Sequence, residues 1–527
     1  MADAVIVGAG HNGLVAANLL ADAGWEVVVL EEQPDPGGAV RSAEVTAPGF
    51  HTDLFSAFYP LGAASPVIRA LDLEQHGLRW RHAPLVLAHP LPDGRAAVIS
   101  RDIDETRESV AQFARADAGA WQEIVDEWRE IGPLVLDALF RPFPPVLPSA
   151  RLVRRLGAGG AVRLARLGLL SVRRFAEERF SGEGARLLFA GNALHTDLSP
   201  EGAGGAVFGW LLAMLGQEHG FPVPEGGAGR LIDALVARLR TRGGDVRCGT
   251  PVVEVVVRDG RALGVRTAGG DAVRARRAVL ADVAAPLLYR RLLNPQDLPG
   301  RLLADLDRFQ WDNPTLKVDW ALSGPIPWTA PAVRRAGTVH LAERLAALTD
   351  YSADLAAGRL PRDPFAVLGQ MTTADPSRSP AGTEAAWAYT HVPHEAAGDE
   401  DGLARQVTRL EEVVERYAPG FRDLILARHV LTPKGLEDRN ASLVGGAING
   451  GTAAIHQQLL FRPVPGLGRP ETPVKGLYLA SSSAHPGGGV HGAPGANAAH
   501  AALAANGRFG GLYDRLWRGA AGLVWDA

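Results

Sequence analysis

Three glycines, Gly8, Gly10 and Gly13, spell GxGxxG directly after the apolar run DAVIV at residues 3–7. Helical spacing of apolar residues starts at Leu14, and a β-branched run at 27–30 ends at Glu31. Strand, tight turn, helix, strand and terminal acid is the order of a dinucleotide-binding βαβ unit. Its first glycine permits the turn, the second lets backbone N–H groups approach a pyrophosphate, the third lets helix and strand pack, and the carboxylate takes the ribose hydroxyls. His11 and Asn12 sit inside that turn, where a side chain packs or hydrogen-bonds near the pyrophosphate. Gly487, Gly489 and Gly492 repeat the pattern after a strand-like run at 477–480. No second strand with a terminal acid follows them, so one dinucleotide is expected.

Other chemistries lack their residues. Cys248 is the single cysteine, which excludes an intramolecular disulfide, a CxxC redox pair and a thiolate zinc cluster in a monomer. Any redox work therefore needs a bound cofactor. There is no HExxH or comparable cluster, so no metal site is expected, and no GxSxG elbow. The 54 Lys+Arg against 58 Asp+Glu leave a net charge of −4, without the global basic field of a nucleic-acid binder. The N-terminus has no basic n-region, and no apolar run reaches the ~18 residues of a spanning helix. A cytoplasmic location is the expectation, with peripheral membrane contact left open.

After Glu31 the chain continues PGGAVRS, with Gly37, Gly38 and Arg41. The whole run VIVGAGHNGLVAANLLADAGWEVVVLEEQPDPGGAVRS resembles the N-terminal signature of the phytoene desaturase-like and carotenoid ketolase-like flavoproteins, within the flavin amine oxidase superfamily. The HPGGGV-x-GAPG pattern near the C-terminus resembles the same branch. The resemblance implies FAD as cofactor, with the Gly-Gly-Arg segment along its pyrophosphate, a role that exposed amides and a guanidinium suit. It also implies that a valine in a later meander, best matched by Val253, offers backbone hydrogen bonds to the adenine. Ser482, Gly488, Gly489, Gly492, Ala493 and Asn497 fall in the C-terminal signature. There the N–H groups of an Ala-rich helix expected from about Gly495 would face the electron-rich edge of the flavin. Relatives carry a Gly-containing or acidic stretch where this chain has Ala480-Ser481-Ser482-Ser483.

His485 and His491 flank the glycine turn that the resemblance sets against the isoalloxazine. Either lines the reactive face, orienting substrate or taking a proton, or each is an imidazole capping the turn. His195, two residues before Asp197 and ahead of a Pro turn, is a third candidate, as part of a polar patch at a cavity mouth or of a helix-end cap.

The elements that position these residues follow. Leu231, Leu235 and Leu239 mark a helix stopped by Gly243-Gly244, and three strands joined at Asp259-Gly260 and Gly269-Gly270-Asp271 come next. The expected fold class is α/β, a discontinuous Rossmann-type FAD-binding domain with an interleaved α+β substrate domain. Residues 1–80, 222–300 and 435–510 would form the first, residues 81–221 and 301–434 the second, and residues 511–527 a C-terminal tail. Residues 315–322, 365–371 and 385–391 read as strands, and 403–417 as a helix. The proline-rich stretch 140–146 reads as a loop or lid. Residues 151–180 carry eight arginines among Leu, Val and Phe, either a basic amphipathic surface for an anionic membrane or a solvated helical face in an Arg-biased chain.

The function expected is an FAD-dependent oxidoreductase taking a hydride from a large apolar, polyprenyl- or carotenoid-like substrate onto flavin N5. Dioxygen or a quinone would reoxidise it, since no nicotinamide-binding unit is visible. A redox-neutral flavin isomerase, an amine oxidase and a non-catalytic flavin-binding protein remain as alternatives. The amine oxidase would need an aromatic cage beside the flavin, and the sequence places no aromatic pair for one.

Overall fold

Every residue of β1 (Ala2–Val7) is buried, which an apolar run without alternation requires of a central strand covered on both faces. It leads through the glycine turn into α1 (His11–Asp22) and back to β2 (Val27–Leu30) alongside it. The computed structural model describes residues 1–525; of the expected tail at 511–527, residues 526–527 lie outside the described residues and the rest are helical.

Along the chain, β3 (Leu85–Pro90) and β4 (Ala96–Ile99) form a hairpin. A helical block follows, with α2 (Asp117–Leu139), α3 (Val146–Leu167), α4 (Glu183–Ala193) and α5 (Gly205–His219). Prolines at 142, 144 and 145 separate α2 from α3, as a residue without an N–H and with fixed φ does. Next come α6 (Gly229–Thr241), β5 (Asp245–Arg247), and the meander β6 (Val252–Arg258), β7 (Arg261–Thr267) and β8 (Ala272–Ala281).

The later half holds β9 (Thr315–Leu322), β10 (Ala336–Leu341), β11 (Ala366–Gln370), β12 (Glu384–His391), α7 (Glu400–Tyr417) and β13 (Ile425–Leu431). The chain closes with β14 (Leu477–Leu479), α8 (Ala493–Ala505) and α9 (Gly510–Trp525). α8 starts at Ala493, two residues before the expected Gly495. Pro494 lies in its first turn, where a missing N–H costs nothing.

Two seven-stranded sheets result. The first runs β6-β7-β8-β1-β2-β5, with β14 added to β8. β8 serves two patterns: residues 272–274 pair antiparallel with β7, and residues 278–281 pair parallel with β1, with 279–281 also meeting β14. Helices α1, α6 and α8 cover one face of its parallel part. The second sheet runs β13-β9-β12-β11-β10-β3-β4. α7 packs on one face of it. The helices α2, α4 and α5 pack on the other, where Val367 and Trp387 point. No helix among the described residues is long and apolar enough to cross a membrane.

Candidate functional site

A cavity of about 860 Å³ extends from the C-terminal ends of β1 and β2 to the inner face of the second sheet, touching Val7 and Leu30 at one end and Lys317, Trp387 and Tyr389 at the other. Open parallel sheets bind ligands outside their strand C-termini, and this space begins there.

At that end the turn after β1 is held by its own acids. The Glu31 carboxylate accepts from the Ala9 N–H (2.7 Å) and the Gln33 N–H (3.0 Å), and burial raises its pKa. Asp282, at the end of β8, accepts from the Gly13 N–H (2.8 Å), and burial pushes its pKa up to about 7. A Cβ on Gly10 would stand 2.5 Å from the Asp282 carboxyl, so a side chain there must push aside the carboxyl that holds the turn. Gly10 caps α1 without any side-chain hydrogen bond, which leaves first-turn N–H groups for an anion.

The residues fit a dinucleotide. His11 Nε2, Asn12 Oδ1 and Asn449 Nδ2 are buried without a hydrogen-bond partner, and all three residues line the cavity. Buried polar atoms are rarely left unpaired, so three along one wall mark where a polar ligand lies. Glycines 488 and 489 of the C-terminal turn form the wall beside them, together with Ser482. Burial pushes the pKa of His11 down to about 4, so it is neutral at pH 7.

Of the residues singled out from the sequence, Gly8, Gly10, His11, Asn12, Glu31, Gly38, Val253, His195, Ser482, Gly488, Gly489 and His491 all line this one cavity. Gly13, Gly37, Arg41, Gly492, Ala493, Asn497 and His485 stand behind it. The Arg41 guanidinium donates through Nε and Nη2 to the backbone carbonyls of Gly38 (3.2 Å) and Arg439 (2.5 Å) and lies over the Phe55 ring. Asn497 lies beyond the first turn of α8, buried between helices.

The histidines separate by surroundings. His491 Nδ1 accepts from the Ala493 N–H (3.2 Å), capping α8, while its ring packs on Phe140 with centroids 5.1 Å apart. Burial, with His11 adjacent, pushes its pKa down to about 3. His485 packs edge-on to Phe143, and burial brings its pKa to about 4. His195 shares a hydrogen bond with His340, Nε2 to Nε2 at 2.7 Å. Burial lowers both, His195 to about 4, so the pair is uncharged at pH 7. Asp197 takes a different part: it accepts from Thr452 Oγ1 (2.7 Å) and the Ala453 N–H (3.0 Å), anchoring a loop.

That loop, residues 447–462, is the main component that motif reasoning missed. Asp312 receives the N–H groups of Ile448, Asn449 and Gly451, and burial raises its pKa to about 6. Buried Arg462 donates to the carbonyls of Asn449 (2.7 Å), Thr452 (3.1 Å) and Ser482 (2.8 Å), joining the loop to the C-terminal glycine turn. Lys317 was missed as well. It is buried on β9, donates to the Asp53 carbonyl (2.9 Å), pairs with Asp319 and lies 5.8 Å from the Trp387 ring centroid. The register sets Lys317 opposite Tyr389 and Asp319 opposite Trp387, so all four share one face of the sheet. Its signal was rarity, since lysine occurs only at 317, 434 and 475 in an arginine-rich chain.

Comparison with known proteins agrees with this geometry. "Pyridine nucleotide-disulfide oxidoreductase domain-containing protein 2" of Rattus norvegicus is 31% identical over 94% of this chain and 92% of its own length. A lycopene-forming phytoene desaturase of Pseudescherichia vulneris is 25% identical over 93% of this chain and 96% of its own. The crystal structure of an oxidoreductase from Methanosarcina mazei has the same fold, with a TM-score of 0.62 at 17% identity, covering 95% of this chain and 99% of that one. Residues 13–501 match the family described as flavin containing amine oxidoreductase, and the chain belongs to that family as an FAD-dependent oxidoreductase.

Proposed function

We propose that the enzyme dehydrogenates a large, uncharged, apolar substrate of the polyprenyl or carotenoid class. The observation that carries this is the far end of the cavity. Phe208, Leu211, Val367, Trp387 and Tyr389 wall it, and among the described residues the carboxylates in the lining, Glu31, Glu32 and Asp282, are at the dinucleotide end. A substrate ammonium would find no counter-charge there and would meet Lys317. The Trp387 and Tyr389 rings are stacked, 6.1 Å apart and inclined by 13°, which leaves no gap between them for a ligand. Membership of the family therefore does not imply amine oxidation. A phytoene desaturase among the relatives supports the same substrate class.

In this reading residues 1–80, 222–300 and 435–510 bind the cofactor, and residues 81–221 and 301–434 enclose the substrate. The amides of Gly10 and Gly38 would hold the pyrophosphate at the turn that Gly8 opens, its own N–H being donated to the Leu30 carbonyl (2.8 Å); Glu31 would hold the ribose and Val253 the adenine, with Ser482, Gly488 and Gly489 bordering the flavin ring. When bound, FAD would supply the hydride acceptor at N5, with dioxygen or a quinone as the final oxidant. The substrate loses a hydride and a proton from neighbouring carbons to form a double bond. His195 takes the proton at Nδ1, its Nε2 being engaged by His340. His491, capping α8 and covered by Phe140, orients the glycine turn and keeps water out.

Anaerobic mixing of FAD-loaded protein with phytoene, geranylgeraniol or squalene, and separately with putrescine, tests this by the flavin absorbance. Bleaching by a polyprenyl chain and not by putrescine is expected, and His195→Gln should slow it about a hundredfold. Bleaching by putrescine alone would overturn the proposal.

A further inference from the structure

α3 is broken at Gly157 (φ 66°, ψ 175°) into two helical arms and is largely uncovered: of its 22 residues only Pro148 and Gly160 are buried. One stripe, Leu152, Leu156, Leu164 and Leu167, packs inward. A second apolar set, Val146, Leu147, Val153 and Val162, is 52–70% exposed.

Both ends of α3 meet one other exposed segment. Just before the helix the Phe143 N–H donates to the Gly468 carbonyl (3.1 Å), and Gly468 lies against Leu459 and Leu460. Just after the helix, Gly168 faces Gly204, which faces Ile455. Ile455, Leu459, Leu460 and Phe461 are 37–44% exposed. Gly168, Gly204, Ile455 and Leu459 also line the cavity, so this apolar rim borders it.

The charge of the region is one-sided. From residue 138 to residue 176 the chain has eight arginines and no Asp or Glu, within a molecule of net charge −4. Flanking acids pair six of the eight: Asp137 with Arg141 and Arg151, Glu130 with Arg155, Glu178 with Arg166 and Arg174, and Glu177 and Glu201 with Arg173. Exposed Arg154 and Arg163 have no ion pair among the described residues.

We propose that this rim seats on an anionic bilayer surface. α3 lies in the plane of the headgroups, Val146, Leu147, Leu460 and Phe461 enter the acyl boundary, and the arginines meet lipid phosphates. The contact is one-sided, and it opens the cavity toward the lipid layer. A second copy of the chain fits less well, because a two-fold interface would bring this arginine field against itself. The attachment does not depend on which substrate the flavin oxidises.

The test is co-sedimentation of the FAD-loaded enzyme with vesicles of phosphatidylcholine alone or mixed with phosphatidylglycerol, with light scattering in parallel. Binding to the mixed vesicles that weakens with salt is expected. Arg154→Glu combined with Arg163→Glu should weaken it about tenfold or more, and so should Leu147→Asn with Val162→Asn, with flavin absorbance and melting temperature unchanged. No binding by the parent enzyme, equal binding by both variants, or a dimer that the variants split would each overturn the proposal.

Discussion

Gly10 shows how a single hydrogen atom in place of a side chain decides cofactor binding. Gly10→Val should fold but carry FAD at about a tenth of stoichiometry or less, read from the ratio of flavin to protein absorbance; retained FAD in a folded variant would contradict this role. Asp282 governs pH dependence at the same turn. Its pKa is about 7 in the folded chain against roughly 3.9 unfolded, so between those values the folded state holds the extra proton. Stability is therefore highest below pH 4 as far as this group is concerned, and falls as pH rises to about 7. Asp282→Asn should flatten that slope in FAD-free protein, a difference on the order of 2–4 °C in melting temperature between pH 5 and 8. The glycine turn was legible because backbone geometry demands glycine at fixed spacing. Asp282 and Lys317 were not, because their roles come from strand neighbours hundreds of residues away, and an acid or a lysine at a strand position carries no local mark. Cys248, half-buried on the edge beyond β5 with its thiol pKa raised by burial, does not line the cavity. Whatever the rat relative's name says of disulfide reductases, no pair of thiols exists in this chain.

The inner face of β9 and β12 illustrates how elements make a site that neither contains alone. Lys317→Met would leave Asp319 buried without its partner and should cost about 3–5 kcal/mol in denaturant unfolding. Replacing both, with Asp319→Leu, should recover most of the loss, since the ion pair has no advantage over apolar packing in a dry wall. If the double variant is as unstable as the single one, the pair acts through Asp53 and the loop it holds. The strands themselves were readable: runs at 315–322 and 385–391 alternate or fill with β-branched and aromatic residues, and the register then follows from burial. α8 was read two residues late because Pro494 looks like a boundary, whereas in a first helical turn it is at home. The loop at 447–462 escaped notice because it has no periodicity, and what shapes it is Asp197, Asp312 and Arg462, each recruited from elsewhere in the fold.

At the scale of the molecule, residues from both ends of the chain close on one space. Filling that space should stabilise the fold as a unit: FAD at a hundredfold excess over its Kd is worth about 2.7 kcal/mol, a rise of roughly 2–4 °C in melting temperature over the stripped protein for a chain of this length. An unchanged melting temperature on reconstitution would place FAD outside this cavity. The discontinuous layout has a further consequence, for synthesis. α8 rests on α1 so closely that a Cβ on Gly495 would stand 2.0 Å from the Asn12 carbonyl, and β14 completes the flank of β8. The turn made first is thus finished last, after about 480 more residues, roughly 25–100 s at a translation rate of about 5–20 residues per second. Throughout that interval α1 lacks its α8 cover, and once residue 281 has been added β8 also holds an open edge, so the cofactor has nothing complete to bind.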